Sequence, residues 1–318
     1  MARLPTPCVA WGRCQDVPMT RPGSPTGLVP PWGLASMSML SVQLGSALAV
    51  GLIEVVGPAG TAWLRLSIGA LIFLAIARPP LRTVSRGDLP TLLGLGIATG
   101  LVTILFLAAI ERIPLGTAVA IEFLGPLSVA ALRSQSRKAL MWPLLALLGV
   151  VLLTEPWHGE IDVWGVSFAA FAALGWGTYI LLTQRIGDRF TGLTGLSMTV
   201  PVAAVTSAVV GIPQASGHIS LGVLAAAAGL AILLPVLPLA FELLALRHMT
   251  QTAFGTLMAL EPAIALLLGL LILRQEPSLI QLVGIVLVVF AGVGAQRGGR
   301  RHPPSEDSGP HSELDLIG

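Results

Sequence analysis

Ten apolar stretches fill the chain from about residue 33 to residue 296, and they constrain the fold more than any other feature. Hydrophobic residues make up 54% of the sequence and charged residues only 11%, whereas soluble domains carry about 25% charged residues. A helix needs about 20 predominantly apolar residues to cross a bilayer. The pattern therefore predicts an all-α membrane protein with ten transmembrane helices and short loops.

The predicted spans lie between short polar interruptions. They cover residues 33–52, 58–77, 89–110, 115–132, 139–154, 163–184, 192–211, 219–245, 251–273 and 278–296. The fourth and fifth are short for a bilayer core of about 30 Å. Pro235 and Pro238 are expected to kink the long eighth span.

Basic residues concentrate on one side of the predicted membrane. If the N-terminus is cytoplasmic, fifteen of the 18 basic residues lie on the cytoplasmic side, Arg112 and Arg274 lie outside, and Arg65 lies within a span. This bias follows the positive-inside rule. It predicts a multi-pass plasma-membrane protein with both termini in the cytoplasm.

The two ends of the chain differ in composition from the apolar body. Residues 1–32 are rich in Pro, Arg and Gly and predict a disordered cytoplasmic leader rather than a signal peptide, with Met19 as an alternative translation start. Cys8 and Cys14 both lie in this leader, so no disulfide, thiolate metal site or metal cofactor is expected in the body. Residues 297–318 predict a disordered cytoplasmic tail.

A weak internal repeat divides the ten spans into two groups of five. When Pro126 is placed over Pro262, residues 112–132 fall over residues 248–268, and each copy is a polar turn followed by a small-residue helix with a Glu and a Pro. The predicted units are residues 33–154 and 155–296. An odd number of spans per unit forces inverted orientations, which are characteristic of secondary transporters.

Ionisable residues inside apolar spans are the main functional candidates, because a charge in hydrocarbon costs several kcal/mol unless a partner or a water-filled cavity relieves it. Glu122 and Glu261 each lie one to two turns into a predicted helix beside a proline. We expect them to handle substrate or protons. The alternative is that each caps a neighbouring helix or bonds a backbone group.

Three further charged residues lie in the predicted spans or at their ends. Arg65 lies about eight residues into the second span, so it either pairs with a carboxylate or faces a cavity, where it could bind a substrate carboxylate. Glu242 follows Pro238 by one turn and either reaches the interface, pairs with Arg65 or has a functional role. Glu54 is near the outer end of the first span and is expected to be interfacial.

Polar and aromatic side chains in mid-span complete the candidate set. Gln43 lies half-way along the first span, where its amide suits hydrogen bonding to a zwitterion or between helices. Trp176 and Tyr179 are three residues apart on one face of the sixth span. They could gate a cavity or pack in the core.

No motif for ATP, dinucleotide or zinc binding and no nucleophile elbow occurs in the sequence. We therefore expect neither an enzyme nor a cofactor, and no nucleic-acid partner. The expected partners are the lipid bilayer, a small molecule and a coupling ion, with the chain acting as a monomer or a homodimer.

Four stretches resemble bacterial threonine/homoserine exporters of the EamA branch of the drug/metabolite transporter superfamily. They are residues 113–127 (IPLGTAVAIEFLGPL), 252–263 (TAFGTLMALEPA), 176–181 (WGTYIL) and 41–46 (SVQLGS). The resemblance covers roughly residues 33–296. It implies a ten-span inverted-repeat carrier of the bacterial inner membrane that exports small amino acids using the proton gradient.

The resemblance also implies which residues surround a central cavity. By the matching positions these are Gln43, Arg65, Glu122, Trp176, Tyr179, Glu242 and Glu261. Residues 101–106 are more apolar than the polar and aromatic run of the family.

Three hypotheses follow from the sequence. The first is export of a small amino acid by alternating access in exchange for a proton, with Glu122 or Glu261 alternating between protonated and charged forms. The second keeps the fold but changes the substrate to a drug or another metabolite, or reverses the direction. The third is a membrane enzyme or a component of a lipid-linked flippase, which would be expected to show a charged cluster at one membrane face.

Overall fold

The computed structural model describes residues 30–77, 85, 87–133, 137–155, 157, 162–187, 193–246, 248, 254 and 257–298. Throughout this part of the chain the regular structure is helical. Residues 1–29 of the predicted leader, which include Cys8, Cys14 and Met19, residues 299–318 of the predicted tail and most of the basic residues assigned to the cytoplasmic side lie outside the described residues. The last residues of the predicted leader, 31–32, and the first of the predicted tail, 297–298, are helical.

The helices follow the hydropathy pattern closely. In chain order they are α1 (Pro31–Ala77), α2 (Leu89–Ile110), α3 (Leu115–Arg133), α4 (Met141–Thr154), α5 (Val163–Gly187), α6 (Leu193–Ala215), α7 (Leu221–Ala231), α8 (Leu237–Leu246), α9 (Glu261–Leu273) and α10 (Leu279–Gly298). A 3-10 turn, Arg137–Leu140, precedes α4, and a π-helical turn, Ile232–Val236, joins α7 to α8.

Helix length and composition confirm an all-α chain of the membrane type within the described residues. Six helical segments are long and apolar enough to cross a membrane: residues 31–77, 89–110, 115–132, 163–183, 194–215 and 221–242. Shorter apolar helices cover residues 141–154, 261–273 and 279–295. The count of ten spans and the inverted repeat stay predictions.

The first two predicted spans form one element that breaks at a glycine. Gly57 has φ 73° and ψ 168°, a conformation that is essentially restricted to glycine. Pro58 follows at the start of the next helical segment, where its missing N–H is one of those that a helix leaves free in any case. We refer to residues 31–56 as the first arm of α1 and to residues 58–77 as its second arm.

The π-helical turn confirms the expected kink in the eighth span. Leu234 has extended backbone angles (φ −156°, ψ 108°), and Pro235 follows it without an N–H to donate. Side chains of the first arm satisfy carbonyls around this break: Ser41 Oγ donates to the carbonyl of Leu233 (2.8 Å), and Ser38 Oγ donates to that of Pro238 (3.1 Å).

The ninth span is the clearest departure from the prediction. It was expected as one helix over residues 251–273, but a turn at Ala259–Leu260 separates the helical residues 254, 257 and 258 from α9, which begins at Glu261. The reason is Pro262, which has no N–H for a preceding helical turn and is favoured in the first turn of a new one. The fifth span also begins later than residue 139, because α4 starts at Met141 after its 3-10 turn.

Small residues let the helices pack backbone to backbone. A Cβ on Gly149 would lie 2.6 Å from the carbonyl oxygen of Gly284, and one on Gly284 would lie 2.7 Å from that of Gly149, so α4 and α10 touch at this pair. Gly96 and Gly100 of α2 make equally close approaches to α6. Small residues at such contacts are typical of helix packing in membranes.

One large buried cluster draws residues from α1 to α7, α9 and α10. Many large apolar side chains on the outer surface are exposed, among them Leu71, Val209 and Leu279. A continuous apolar exterior is what a bilayer requires. Between the buried cluster and the break at Leu234 lies the cavity that holds the predicted site.

Candidate functional site

A cavity of about 330 Å³ opens among helices from both halves of the chain. The two arms of α1 and helices α2, α3, α5, α6, α8 and α9 contribute to its wall, together with the π-helical turn. The lining residues are Ser38, Met39, Val42, Gln43, Ser46, Arg65, Leu66, Thr99, Val102, Thr103, Phe106, Val119, Glu122, Trp176, Tyr179, Leu196, Thr199, Val200, Leu234, Pro235, Pro238, Glu242, Phe254, Met258 and Glu261.

All seven residues that were selected from the sequence line this one cavity. They are Gln43, Arg65, Glu122, Trp176, Tyr179, Glu242 and Glu261. Glu54, which was expected to be interfacial, is exposed and lies outside the cavity wall. The structure thus brings together side chains that are separated by up to about 220 positions in the sequence.

Both arms of α1 place a polar side chain in the cavity beside the break in the α7–α8 region. Gln43 on the first arm is 3% exposed, and Arg65 on the second arm is 4% exposed. The arms reach the break because Gly45 packs against Leu233 and Leu234, and Gly69 packs against Pro235. A Cβ added at either glycine would lie 3.4–3.5 Å from these residues, in van der Waals contact with the break.

Glu122 and Glu261 enter the cavity from different positions in their helices. Glu122 lies about two turns into α3, as predicted. Glu261 is the first residue of α9 rather than one to two turns into a helix, because the chain breaks just before it. No hydrogen bond links either carboxylate to another group among the described residues.

Arg65 makes no ion pair within 4.0 Å with any carboxylate of the described residues, which corrects the suggested pairing with Glu242. Arg65 shares the cavity with Glu122, Glu242 and Glu261, and the four groups carry a formal charge of −2 when all are ionised.

The aromatic pair on α5 lies in the wall, but its two members pack differently. Trp176 meets Phe123 of α3 edge to face, with ring centroids 6.5 Å apart and planes at 63°. Tyr179 packs beside a small buried cluster formed by Leu92 and Leu95 of α2. Trp176 therefore contacts the residue that follows Glu122, while Tyr179 connects the cavity to α2.

Several hydroxyl side chains in the wall were not selected from the sequence. They are Ser38, Thr99, Thr103 and Thr199. The signal was present in α2, where Thr99 and Thr103 are four residues apart and so share one face of an apolar helix. An isolated hydroxyl in such a helix normally bonds its own backbone, which is why these positions attracted no functional prediction.

The cavity and helices can be compared with known proteins. Residues 163–294 match the family model described as the EamA-like transporter family. The chain is 34% identical over 271 residues to the threonine/homoserine exporter RhtA of Salmonella typhimurium (strain SL1344), covering 84% of this chain and 91% of that protein. It is 35% identical over 269 residues to RhtA of Escherichia coli (strain K12), covering 81% and 88%.

One solved structure is also similar. A crystal structure described only as that of a protein superimposes with a TM-score of 0.58 at 20% sequence identity, covering 83% of this chain and 98% of the other. At this identity the likeness shows a common fold and carries no functional information.

Proposed function

The chain belongs to the EamA-like transporter family, and from this premise we propose that it exports small amino acids of the threonine and homoserine type across the bacterial inner membrane. It is a multi-pass membrane transporter and not an enzyme. The observation that carries the proposal is the cavity in which one arginine and three glutamates meet.

The size of the cavity supports a small substrate. Ligand pockets of proteins span about 300–1,000 Å³, and 330 Å³ lies at the lower end of that range. Such a volume suits a small metabolite better than a large drug molecule. The relatives with RhtA names, similar over more than four-fifths of this chain, direct the choice to an amino acid.

The seven cavity residues take different roles in the proposal. Arg65 and Gln43 bind the polar ends of the substrate. Glu122 and Glu261 take up and release the coupling proton, and Glu242 adds a third carboxylate to the cavity. Trp176 and Tyr179 close the wall around the substrate. A cationic group on the substrate and a proton both neutralise a carboxylate, so a given carboxylate accepts one or the other. Mutual exclusion of this kind is what proton antiport requires.

The proposed architecture is ten spans in two inverted five-helix units, residues 33–154 and 155–296, with a leader (1–32) and a tail (297–318) in the cytoplasm. The positive-inside bias and the agreement of helix bounds with the apolar stretches support it. The chain acts as a monomer or a homodimer in this scheme.

Hydrogen bonds between helix ends support alternating access. Oε1 of Gln214 at the end of α6 accepts from the amides of Ala59 (2.7 Å) and Gly60 (3.0 Å), and Oε1 of Gln275 after α9 accepts from the amide of Leu115 (3.1 Å). All these ends are external in the proposed topology. The bonds hold the external ends of neighbouring spans together, and opening to the outside would break them.

A second candidate keeps the fold and changes the substrate. Val102 and Phe106 of α2 contribute apolar surface to the cavity where the sequence is more apolar than the family pattern, and this favours a less polar metabolite. Expression in an exporter-deficient strain separates the two candidates. Resistance to toxic concentrations of threonine or homoserine supports amino acid export, and sensitivity with transport of another metabolite supports the second candidate.

Efflux from proteoliposomes tests the mechanism. Vesicles loaded with labelled L-threonine should release it faster when the outside is acidified. Glu122→Gln and Glu261→Gln should each lose at least tenfold of this pH-driven rate, because an amide cannot exchange a proton, and Glu54→Gln should retain it. The proton-antiport proposal fails if both cavity variants respond to pH as the wild type does.

A further inference from the structure

Two buried atoms in the cavity have no hydrogen-bond partner in the part of the chain that the structure describes. They are Oε1 of Gln43, an acceptor, and Nε of Arg65, a donor. Leaving a buried polar group unpaired costs about 1–3 kcal/mol, and more when the group is charged. One such acceptor and one such donor, on two residues that line the same cavity from the two arms of α1, point to a ligand that supplies the complement of both.

Four serine and threonine hydroxyls of the wall restrict that ligand further. Each donates its proton to a helix carbonyl and so retains only acceptor capacity toward the cavity. These bonds run from Ser38 to Pro238 (3.1 Å), from Ser46 to Val42 (3.0 Å), from Thr99 to Leu95 (2.8 Å) and from Thr103 to Thr99 (2.8 Å). Together with the three carboxylates, they make the wall rich in acceptors, with Arg65 as its single cationic donor.

We propose that Gln43 and Arg65 are the two anchors that make this cavity specific for a zwitterion, Arg65 binding the carboxylate and Gln43 the ammonium group of a free amino acid. The inference rests on the proposed function and specifies the chemistry of the same site. A guanidinium binds a carboxylate through paired hydrogen bonds. An ammonium has three donors, so it can bind Oε1 of Gln43 and still reach the carboxylate cluster.

The acceptor-rich wall also assigns a place to the substrate side chain. A hydroxyl on the substrate can donate to Oγ1 of Thr99 or Thr103, which an isosteric methyl cannot do. A site that hydrogen-bonds a substrate hydroxyl strongly rejects an analogue that lacks the hydroxyl. An apolar pocket discriminates much less between two substrates of similar shape. The cavity should therefore prefer threonine to valine, which has nearly the same volume.

Competition for counterflow in proteoliposomes tests the anchors with three matched probes. L-Threonine carries both charges, L-threoninol lacks the carboxylate, and 3-hydroxybutyrate lacks the ammonium group. In the wild type, threonine should compete at least tenfold better than either analogue. Arg65→Gln should weaken competition by threonine about tenfold and leave competition by threoninol unchanged. Gln43→Leu should weaken competition by threonine and leave competition by 3-hydroxybutyrate unchanged.

The pattern across probes separates binding from folding. A variant that merely misfolds loses all three probes together, and Arg65→Lys and Gln43→Asn should recover part of the preference for threonine. Equal competition by threonine and threoninol in the wild type would overturn the proposal. If threonine fails but another zwitterionic amino acid is exchanged, the substrate under the proposed function is wrong and the anchors stand. If only substrates that lack the carboxylate or the ammonium group are exchanged, the anchor proposal and the proposed function are both overturned.

Discussion

The side-chain oxygen of Gln214 lies 2.7 Å from the amide nitrogen of Ala59, so the end of α6 caps the helix that restarts after the break in α1. Helix starts leave amides without partners in their own helix. Here a residue about 155 positions away supplies the acceptor, and the same oxygen also binds the amide of Gly60. The break in α1 is thus completed by a neighbouring helix and not by its own sequence.

Removal of this cap should destabilise the protein. Gln214→Ala should lower the free energy of unfolding by about 1 kcal/mol, the usual loss when a side chain that caps a helix is truncated. Thermal unfolding in detergent measures it. Ser216→Ala is the matched control, because Ser216 Oγ donates only to the carbonyl of Pro213 nearby (2.7 Å). Equal effects of the two substitutions would contradict the capping role.

Gly57→Ala should be more harmful than Gln214→Ala. The backbone at Gly57 is strained for any residue with a Cβ, at about 1–3 kcal/mol, and the added Cβ would overlap the side-chain amide of Gln214. In the double variant with Gln214→Ala, thermal unfolding should show that the overlap is relieved and that the loss of stability from backbone strain remains. Gly51→Ala is the control, since a Cβ there meets nothing within 4 Å. A harmless Gly57→Ala would refute the assigned conformation.

Ser41→Ala should weaken the wall of the cavity at the π-helical turn. It removes the donor to the carbonyl of Leu233. The amide of Leu237, which would donate to this carbonyl in a regular α-helix, donates to Ile232 instead, so the loss should be about 1–3 kcal/mol. Counterflow and thermal unfolding should both decline. Ser36→Ala, which loses only a bond to Trp32 of its own helix, should leave both near the wild-type values; a decline of the same size there would refute a special role for Ser41.

The two glutamine caps should also control access from outside the cell. Ser46→Cys, in a chain with both leader cysteines replaced by serine, places a single thiol in the cavity wall. Gln275→Ala should increase its modification by an external membrane-impermeant maleimide about fivefold, because about 1 kcal/mol shifts a two-state population by that factor. Unchanged labelling from outside would show that these bonds do not hold the external side closed.

Much of the site could be predicted from single residues. Glu122, Glu261, Arg65 and Gln43 attract notice because polar groups are costly in an apolar span, and all four line one cavity. The pairing of Arg65 could not be predicted. Glu242 was a reasonable partner on the grounds of its position, yet Arg65 makes no ion pair within 4.0 Å with a carboxylate of the described residues, because helix packing decides how far apart these side chains lie.

The sequence by itself determined the membrane class, the position of most helices, the kink at Pro235 and the charged and amide residues of the cavity. Each of these depends on a local property, either the transfer free energy of a segment or the missing N–H of a proline. The tertiary structure alone decided that Gln214 and Gln275 cap distant helices and that Ser38 and Ser41 donate to carbonyls at the break between α7 and α8. Those outcomes depend on contacts between helices. Close packing at residues such as Gly149 and Gly284 sets these contacts, and hydropathy does not encode them.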